Sequence, residues 1–274
     1  MIEQLKEFLS YDFVRSALVA GSLAAVLGAL VGYFVVIRKV GFAAHALAHV
    51  GFTGATGAAL FGISPLHGML VISVLAGAMM GVAGDRLHRS EIAIGMVLSV
   101  CLGVGTLFLT LYNGFAGQAS AILFGNIFGV SSQQIVQIAI LSAVSLGVLF
   151  VFARKLIFAS IQPDLAEARG VSLSVLSTIF MIILAISVTL ASQVVGILLV
   201  FTLVIGPAGI AARLFRGFWS GTVASVVIAL AAVWTGIILA CATNWPPSFW
   251  ITSILFALYL IVEIVCRFFL RTER

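Results

Sequence analysis

Long apolar stretches, separated by short polar breaks, are the feature that most constrains the fold of this chain. They cover residues 14–37, 42–61, 65–84, 92–112, 134–153, 172–192, 194–212, 218–241 and 247–266. A helix needs about 20 apolar residues to cross a bilayer core of roughly 30 Å. Hydrocarbon provides no partner for backbone N–H and C=O groups, and these stretches lack the alternation of strands. We therefore predict an all-α bundle of eight or nine membrane-spanning helices.

The composition indicates that little of the chain lies outside the membrane. Of its 274 residues, 62% are hydrophobic and 8% are charged, and the mean hydropathy is +1.27. Soluble domains are typically about 25% charged. We expect one membrane domain over residues 1–274, in which residues 1–13 form a short interfacial lead-in. The three cysteines have no CxxC spacing and are expected to be small buried side chains.

The basic residues predict the orientation of the bundle. All but two of the 14 Lys and Arg residues follow spans 1, 3, 5, 7 and 9, so they fall on one side of the membrane. The exceptions are Lys6 and Arg15. Because positive charge collects in cytoplasmic loops, the N-terminus is expected outside and the C-terminus in the cytoplasm. The net charge of +5 thus reflects topology, and we do not interpret it as nucleic-acid binding.

Two loop segments and three glycine pairs complete the pattern. Residues 113–133 are expected to form an interfacial or re-entrant helix on the outer side. Residues 156–171 lie inside and contain QPDLAEARG, which predicts a short helix with acidic residues in its first turn and a glycine stop. Such a helix is a plausible docking element for a partner protein. The GxxxG pairs Gly28/Gly32, Gly77/Gly81 and Gly125/Gly129 predict close helix packing within the chain or between subunits.

Two histidines in the second span are the strongest candidates for function. His45 and His49 are four residues apart, so they share one helix face, about 6 Å apart along the axis. His49 lies about 15 Å from Lys39, close to the middle of the membrane. Ionisable residues at that depth indicate function by default. Two readings stay open: metal or proton handling, and neutral imidazoles that hydrogen-bond to neighbouring helices.

The other ionisable residues have simpler explanations. Glu91 can be a solvated acid at a helix N-terminus, and Glu263 with Arg267 has the spacing of an ordinary helix ion pair. His67 is expected at the surface of the outer turn. The sequence contains no nucleophile paired with a base and no Walker sequence, so we do not expect an enzyme.

Four stretches, in order, resemble one protein family. They are FVVIRKVGFAAHALAHVGFTGATGAALFG, SEIAIGMVLSVCLGVGTLFL, QPDLAEARGVSLSVL and VVGILLVFTLVIGPAGIAARL, and they extend from about residue 30 to 215. The chain resembles the permease subunit of zinc/manganese ABC importers of the ABC-3 type. The resemblance implies a fold like that of the type II ABC importers and a separate ATPase subunit.

The resemblance also implies roles for single residues. His45, His49 and Glu91 fall on positions expected to contact the metal. The helix at 162–170 falls on the segment that docks into the ATPase, with Pro163, Asp164, Leu165, Ala166, Glu167 and Gly170 as its docking residues. Pro207 falls in the seventh span, where a bend or a freed carbonyl would provide a gate.

The departures from the family pattern bear on the metal. His45 replaces the family's aspartate, Ala48 replaces a serine, Thr53 replaces a proline, and Asn126 stands where an acid is common. Imidazole suits Zn²⁺, whereas Mn²⁺ prefers oxygen ligands. We therefore favour zinc as the transported ion and expect no permanently bound cofactor.

The expected assembly is a homodimer of permeases with two cytoplasmic ATPase subunits and an external metal-binding protein, in the cell (inner) membrane. ATP-driven closure of the ATPases would alternate access to the path. Three alternatives remain: a permease for manganese, iron or a metal chelate; an ion-coupled secondary transporter using His45 and His49; and a membrane scaffold.

Overall fold

The computed structural model describes residues 11–83, 91–112 and 121–269, and this part of the chain contains no β-strand. The first four helices are α1 (Asp12–Arg38), α2 (Gly41–Leu60), α3 (Pro65–Ala83) and α4 (Glu91–Leu111). Helical residues 121–124 and a 3₁₀ turn (Ile127–Gly129) come next. They are followed by α5 (Ser132–Ile161), α6 (Pro163–Ala168), α7 (Leu173–Val195), α8 (Val200–Leu214), α9 (Phe218–Thr243) and α10 (Pro247–Phe269). The predicted all-α membrane bundle is confirmed.

The number of membrane-crossing helices is roughly consistent with the predicted eight or nine. Among the described residues, seven helices are long and apolar enough to cross a membrane: α1, α3, α4, α5, α7, α9 and α10. The two further apolar stretches of the sequence correspond to α2, which has 20 residues, and α8, which has 15. The short length of α8 sets it apart from ordinary lipid-facing spans, and the histidines, threonines and glycines of α2 do the same for that helix. Both lie next to the candidate site.

Three predicted boundaries need correction. The lead-in was placed at residues 1–13, but residues 1–10 lie outside the described part, and Asp12 and Phe13 already belong to α1. The segment 156–171 begins inside α5, which continues to Ile161, so only α6 and the following turn form a separate element. The break between the apolar stretches 172–192 and 194–212 lies at Gly196 and not at residue 193, because Ser192 and Gln193 are in the last turn of α7.

Helices α1 and α7 form the centre of the bundle. Most of their residues are buried, and Phe180 of α7 is fully buried with its ring 6.2 Å from that of Phe34 in α1. Helices α5, α8 and α9 pack against α1, whereas α3 packs against α7 and α2 lies between α3 and α4. The longer exposed apolar faces lie on α4, α5, α9 and α10, as expected of helices that meet lipid.

Two of the three glycine pairs lie where helices touch. A Cβ atom on Gly32 would collide with the Val204 carbonyl of α8, and one on Gly77 would lie 2.7 Å from the Met181 carbonyl of α7. Small residues allow this backbone approach, which replaces the hydrophobic driving force missing in lipid. The third pair is not helical, since Gly125 has a φ of 79° and Gly129 ends the 3₁₀ turn.

Replacing Gly77 with leucine should destabilise the protein. The new side chain meets backbone atoms of α7 that cannot move independently, so we expect a loss of roughly 1–3 kcal/mol. Melting temperature in detergent measures the effect. Gly147→Leu is the matched control, because a Cβ there meets no atom within 4 Å. Equal melting temperatures for both variants would contradict the close α3–α7 contact.

Candidate ion path

The two histidines lie together on the face of α2 that is turned away from α3. Their ring centroids are 4.5 Å apart in an edge-to-face arrangement. Both side chains are half-buried, and they share a stripe with Phe42 and Thr53, whereas the opposite face of α2 is buried against α3. We call residues 42, 45, 49 and 53 the histidine stripe. It presents two imidazoles at the surface of a single protomer, where lipid alone would give them no partner.

The neighbouring helices define the borders of the histidine stripe. On one side, the His45 ring meets the Phe201 ring of α8 edge-on at 5.6 Å. On the other side, the Thr53 hydroxyl donates a hydrogen bond of 2.5 Å to the Cys101 carbonyl of α4. The stripe is therefore bordered by α8 near His45 and by α4 near Thr53.

The position of α8 depends on the break that precedes it. Gly196 ends α7 with φ 82° and ψ 163°, a conformation that is almost restricted to glycine. The following residues pair with the outer segment: the Ile197 amide donates to the Ile122 carbonyl at 3.3 Å, and the Leu198 amide donates to the Leu123 carbonyl at 3.2 Å. Gly125 approaches Gly196 closely, since a Cβ on Gly125 would lie 2.6 Å from the Gly196 amide nitrogen. This clasp fixes the start of α8 beside His45.

A groove of about 570 Å³ lies between α8 and α10. Phe201, which touches His45, is also one of the residues that line the groove. Most of the lining is apolar, but hydroxyl groups occur along its length. They belong to Thr202, Thr252, Ser253 and Tyr259. The groove thus extends from Phe201, which contacts His45, to Tyr259.

A second, smaller pocket of about 180 Å³ lies where the beginnings of α3 and α5 meet the end of α7. Its polar lining includes Asn126, Gln134 and Gln193, and the Gln193 amide nitrogen is 3.7 Å from the Met69 sulfur. Neither the groove nor this pocket was identified from the sequence. Their polar residues come from helices far apart in the chain, and single polar residues near helix ends carry no distinctive pattern.

Glu91 begins α4, but its side chain lies outside the described part of the structure. Helices α2 and α4 run in the same direction, because Thr53 is beside Cys101 and Gly57 is beside Phe108. At about 1.5 Å per residue, residue 91 precedes Cys101 by about 15 Å along the axis of α4, and His45 precedes Thr53 by about 12 Å along the axis of α2. The backbone of residue 91 is therefore at about the depth of His45.

The remaining predicted residues lie apart from the histidines. Pro207 is buried inside α8, which stays helical across it, while Gly206 and Gly209 line the groove. Pro163, Asp164, Leu165, Glu167 and Gly170 are exposed on or after α6, and Ala166 is buried. Within residues 11–83, 91–112 and 121–269, no group of three or more His, Cys, Asp or Glu side chains could hold a metal ion.

Comparisons with known proteins agree with this architecture. The profile described as ABC 3 transport family matches residues 10–266. A probable metal transport system membrane protein of Thermotoga maritima is 28% identical over 93% of this chain and 90% of its own length. The manganese transport system membrane protein MntC of Halalkalibacterium halodurans is 26% identical over 75% and 70%. The high-affinity zinc uptake system membrane protein ZnuB of Haemophilus influenzae is 26% identical over 84% and 88%.

A solved structure has the same fold. The structure titled PsaBC from Streptococcus pneumoniae in complex with Fab aligns over the full length of both chains with a TM-score of 0.88 at 22% identity. At that identity, the likeness concerns the arrangement of the helices.

Replacing Gly196 with alanine should disrupt the clasp. The alanine would have to adopt a conformation that costs of order 1–3 kcal/mol, and its Cβ would collide with the Leu123 carbonyl. We expect a lower melting temperature in detergent. Gly62→Ala is the control, since Gly62 also has a positive φ of 71° but no atom within 4 Å of its Cβ position. A loss no larger than the control's would show that the clasp does not hold α8.

Proposed function

The chain belongs to the ABC 3 transport family and is the membrane-spanning permease subunit of an ABC metal importer, and on this premise we propose that its cargo is zinc. The observation that carries the proposal is the histidine stripe, in which His45 and His49 hold their rings 4.5 Å apart. Neutral imidazole nitrogen is a good ligand for Zn²⁺, whereas Mn²⁺ prefers oxygen. Two ligands bind weakly enough to release an ion that must move on.

Manganese is the second candidate, for a specific reason. The groove between α8 and α10 offers hydroxyl oxygens from Thr202, Thr252, Ser253 and Tyr259. Such oxygen ligands suit Mn²⁺, and a manganese system's membrane protein is among the relatives. An iron or metal-chelate permease remains a further alternative. Family membership gives no support to the ion-coupled secondary transporter or to the scaffold.

We propose that two copies of the chain pack with their histidine stripes facing one central path. Half-buried imidazoles on the surface of one protomer support this arrangement, because a second copy would cover them and supply further ligands. The same contact would close the open side of the groove between α8 and α10. Glu91, whose backbone lies at about the depth of His45, is the nearest candidate for an additional ligand.

The path requires an energy source and a supply of metal. We propose that two cytoplasmic ATPase subunits bind α6 and that an external metal-binding protein delivers the ion at the outer end. The charge pattern supports a cell (inner) membrane orientation with the N-terminus outside and the C-terminus in the cytoplasm. ATP-driven movement of α6 would then be transmitted through α5, against which it packs. Pro207, in the middle of α8, is our candidate for the point at which α8 bends.

Removing the histidine pair should slow zinc transport. In proteoliposomes with the ATPase and binding protein, we expect His45→Ala/His49→Ala to reduce ATP-dependent ⁶⁵Zn uptake at least tenfold, a loss of about 1.4 kcal/mol in path stabilisation. His67→Ala is the control, because His67 is exposed at the start of α3. Basal ATP hydrolysis should persist in both. Unchanged uptake in the double variant would make the histidines packing residues.

The same assay separates the two metals. Wild-type protein should take up Zn²⁺ faster than Mn²⁺ at equal free concentration, because the ligands at mid-membrane are nitrogens. Faster manganese uptake would replace zinc with manganese as the cargo.

A charge placed on α6 should uncouple the ATPase. Leu165 is the large exposed apolar side chain of that helix. We expect Leu165→Asp to abolish co-purification of the ATPase subunits, because it puts a carboxylate into the proposed apolar contact between α6 and the ATPase. Leu111→Asp is the matched control, since Leu111 is equally apolar and exposed but lies at the opposite end of the bundle. Retention of the ATPase by Leu165→Asp would show that it binds elsewhere.

A further inference from the structure

The groove between α8 and α10 has matched stripes on its two walls. On α10, Thr252, Phe256, Tyr259 and Glu263 follow each other at intervals of four, three and four residues. On α8, Thr202, Gly206, Gly209 and Arg213 have the same intervals. Residues at this spacing lie on one helix face. The two helices run in the same direction, so the groove leads from Phe201, beside His45, to Tyr259, one helical turn before Glu263.

Three charged side chains form a cluster next to Tyr259, which lines the groove. The Glu263 carboxylate forms ion pairs through one oxygen with Arg213 and through the other, at 2.8 Å, with Arg267. The Arg213 guanidinium also donates to the Tyr259 hydroxyl at 3.4 Å and lies over its ring. Tyr259 lines the groove, so the cluster touches the last part of the path.

The cluster is more than the helix ion pair that the spacing of Glu263 and Arg267 predicts. Arg213 comes from α8, and its ion pair links the two walls of the groove. The Glu263 side chain is 18% exposed, against 42% for Arg213 and 76% for Arg267. The carboxylate is therefore the covered group, and the two arginines are the more exposed members of the cluster.

The charges of the cluster determine how it treats a cation. Two guanidinium groups and one carboxylate leave a net positive charge, which repels a dication while the cluster is closed. If α8 and α10 separate, the ion pair that links them breaks and the carboxylate gains room for another partner. Carboxylate oxygen is a ligand for both Zn²⁺ and Mn²⁺.

We propose that Glu263 is the exit ligand of the transport path, guarded by Arg213 and Arg267. With the path closed, the arginines occupy both carboxylate oxygens and block cations. When the path opens to the cytoplasm, Glu263 takes the dication from the groove and releases it to water. This inference rests on the proposed function, because it assigns a residue to the route of the same metal.

The test compares single and double variants in the same reconstituted system. We expect Glu263→Gln to lower ATP-dependent uptake of Zn²⁺ or Mn²⁺ at least tenfold, and Glu263→Asp, which keeps the carboxylate, to stay within about threefold of wild type. Arg213→Gln should let metal leak without ATP, because one guard is lost. The matched control is Arg154→Gln, which removes an exposed arginine at the same end of the bundle.

The double variant Glu263→Gln/Arg213→Gln separates a ligand from a structural ion pair. If Glu263 only neutralises Arg213, removing both should restore uptake to within twofold of wild type, and that result would overturn the inference. If Glu263 is an exit ligand, uptake by the double variant should stay at least tenfold below wild type. The ATPase should still be bound, and the elution profile should be unchanged. Wild-type uptake by Glu263→Gln would also overturn it. A wild-type protein that carries neither metal would instead refute the proposed function.

Discussion

Hydrocarbon cannot pair with a backbone N–H or C=O group, and each unpaired group there costs several kcal/mol. Most of this chain meets the constraint through long helices. One break in the helices lies after α7, at residues 196–198. The amides of Ile197 and Leu198 donate to the carbonyls of Ile122 and Leu123, and two glycines with positive φ, Gly125 and Gly196, allow the segments to touch. The start of α8 depends on this pairing.

The placement of α8 in turn determines the proposed path. Because α8 begins late and has 15 residues, its first turn sets Phe201 against His45, and its last turn brings Arg213 to Glu263. Between these points, glycines at 206 and 209 leave room for the groove. A continuous helix from α7 would have carried these residues elsewhere. A backbone requirement at the outer end of the bundle thus fixes which side chains face the groove.

Close packing of small residues gives the bundle its shape without a hydrophobic driving force. Gly32 and Gly77 bring α1 to α8 and α3 to α7 at backbone distance. Large apolar side chains of α4, α5, α9 and α10 are exposed. The half-buried imidazoles of the histidine stripe and the charged cluster around Glu263 differ from that apolar surface. The first contacts Phe201 and the second contacts Tyr259, and both of these residues line the groove.

The sequence alone determined the fold class, the approximate spans, the pairing of His45 with His49 and the short helix at 163–168. These features follow from local chemistry: apolar runs of membrane length, the 3.6-residue period of one helix, and proline and glycine at helix ends. It misplaced the break before α8 at residue 193, because the polar residues Ser192 and Gln193 resemble a loop. The break lies at Gly196, and the positive φ of this glycine and the hydrogen bonds of the next two residues to residues 122 and 123 are visible only in the structure. The sequence correctly predicted the pair of Glu263 and Arg267 within one helix, but it did not identify the second ion pair of Glu263, with Arg213.

Only the tertiary structure decided which distant residues meet. Phe201 reaches His45, Thr53 reaches Cys101, and Arg213 reaches Glu263 across gaps of about 50 residues or more. Such contacts depend on the order in which helices pack, and that order is set by the steric fit of small residues and by the broken backbone at Gly196. Periodicity in the sequence reports which face of a helix is polar, but it carries no information about which helix that face will meet.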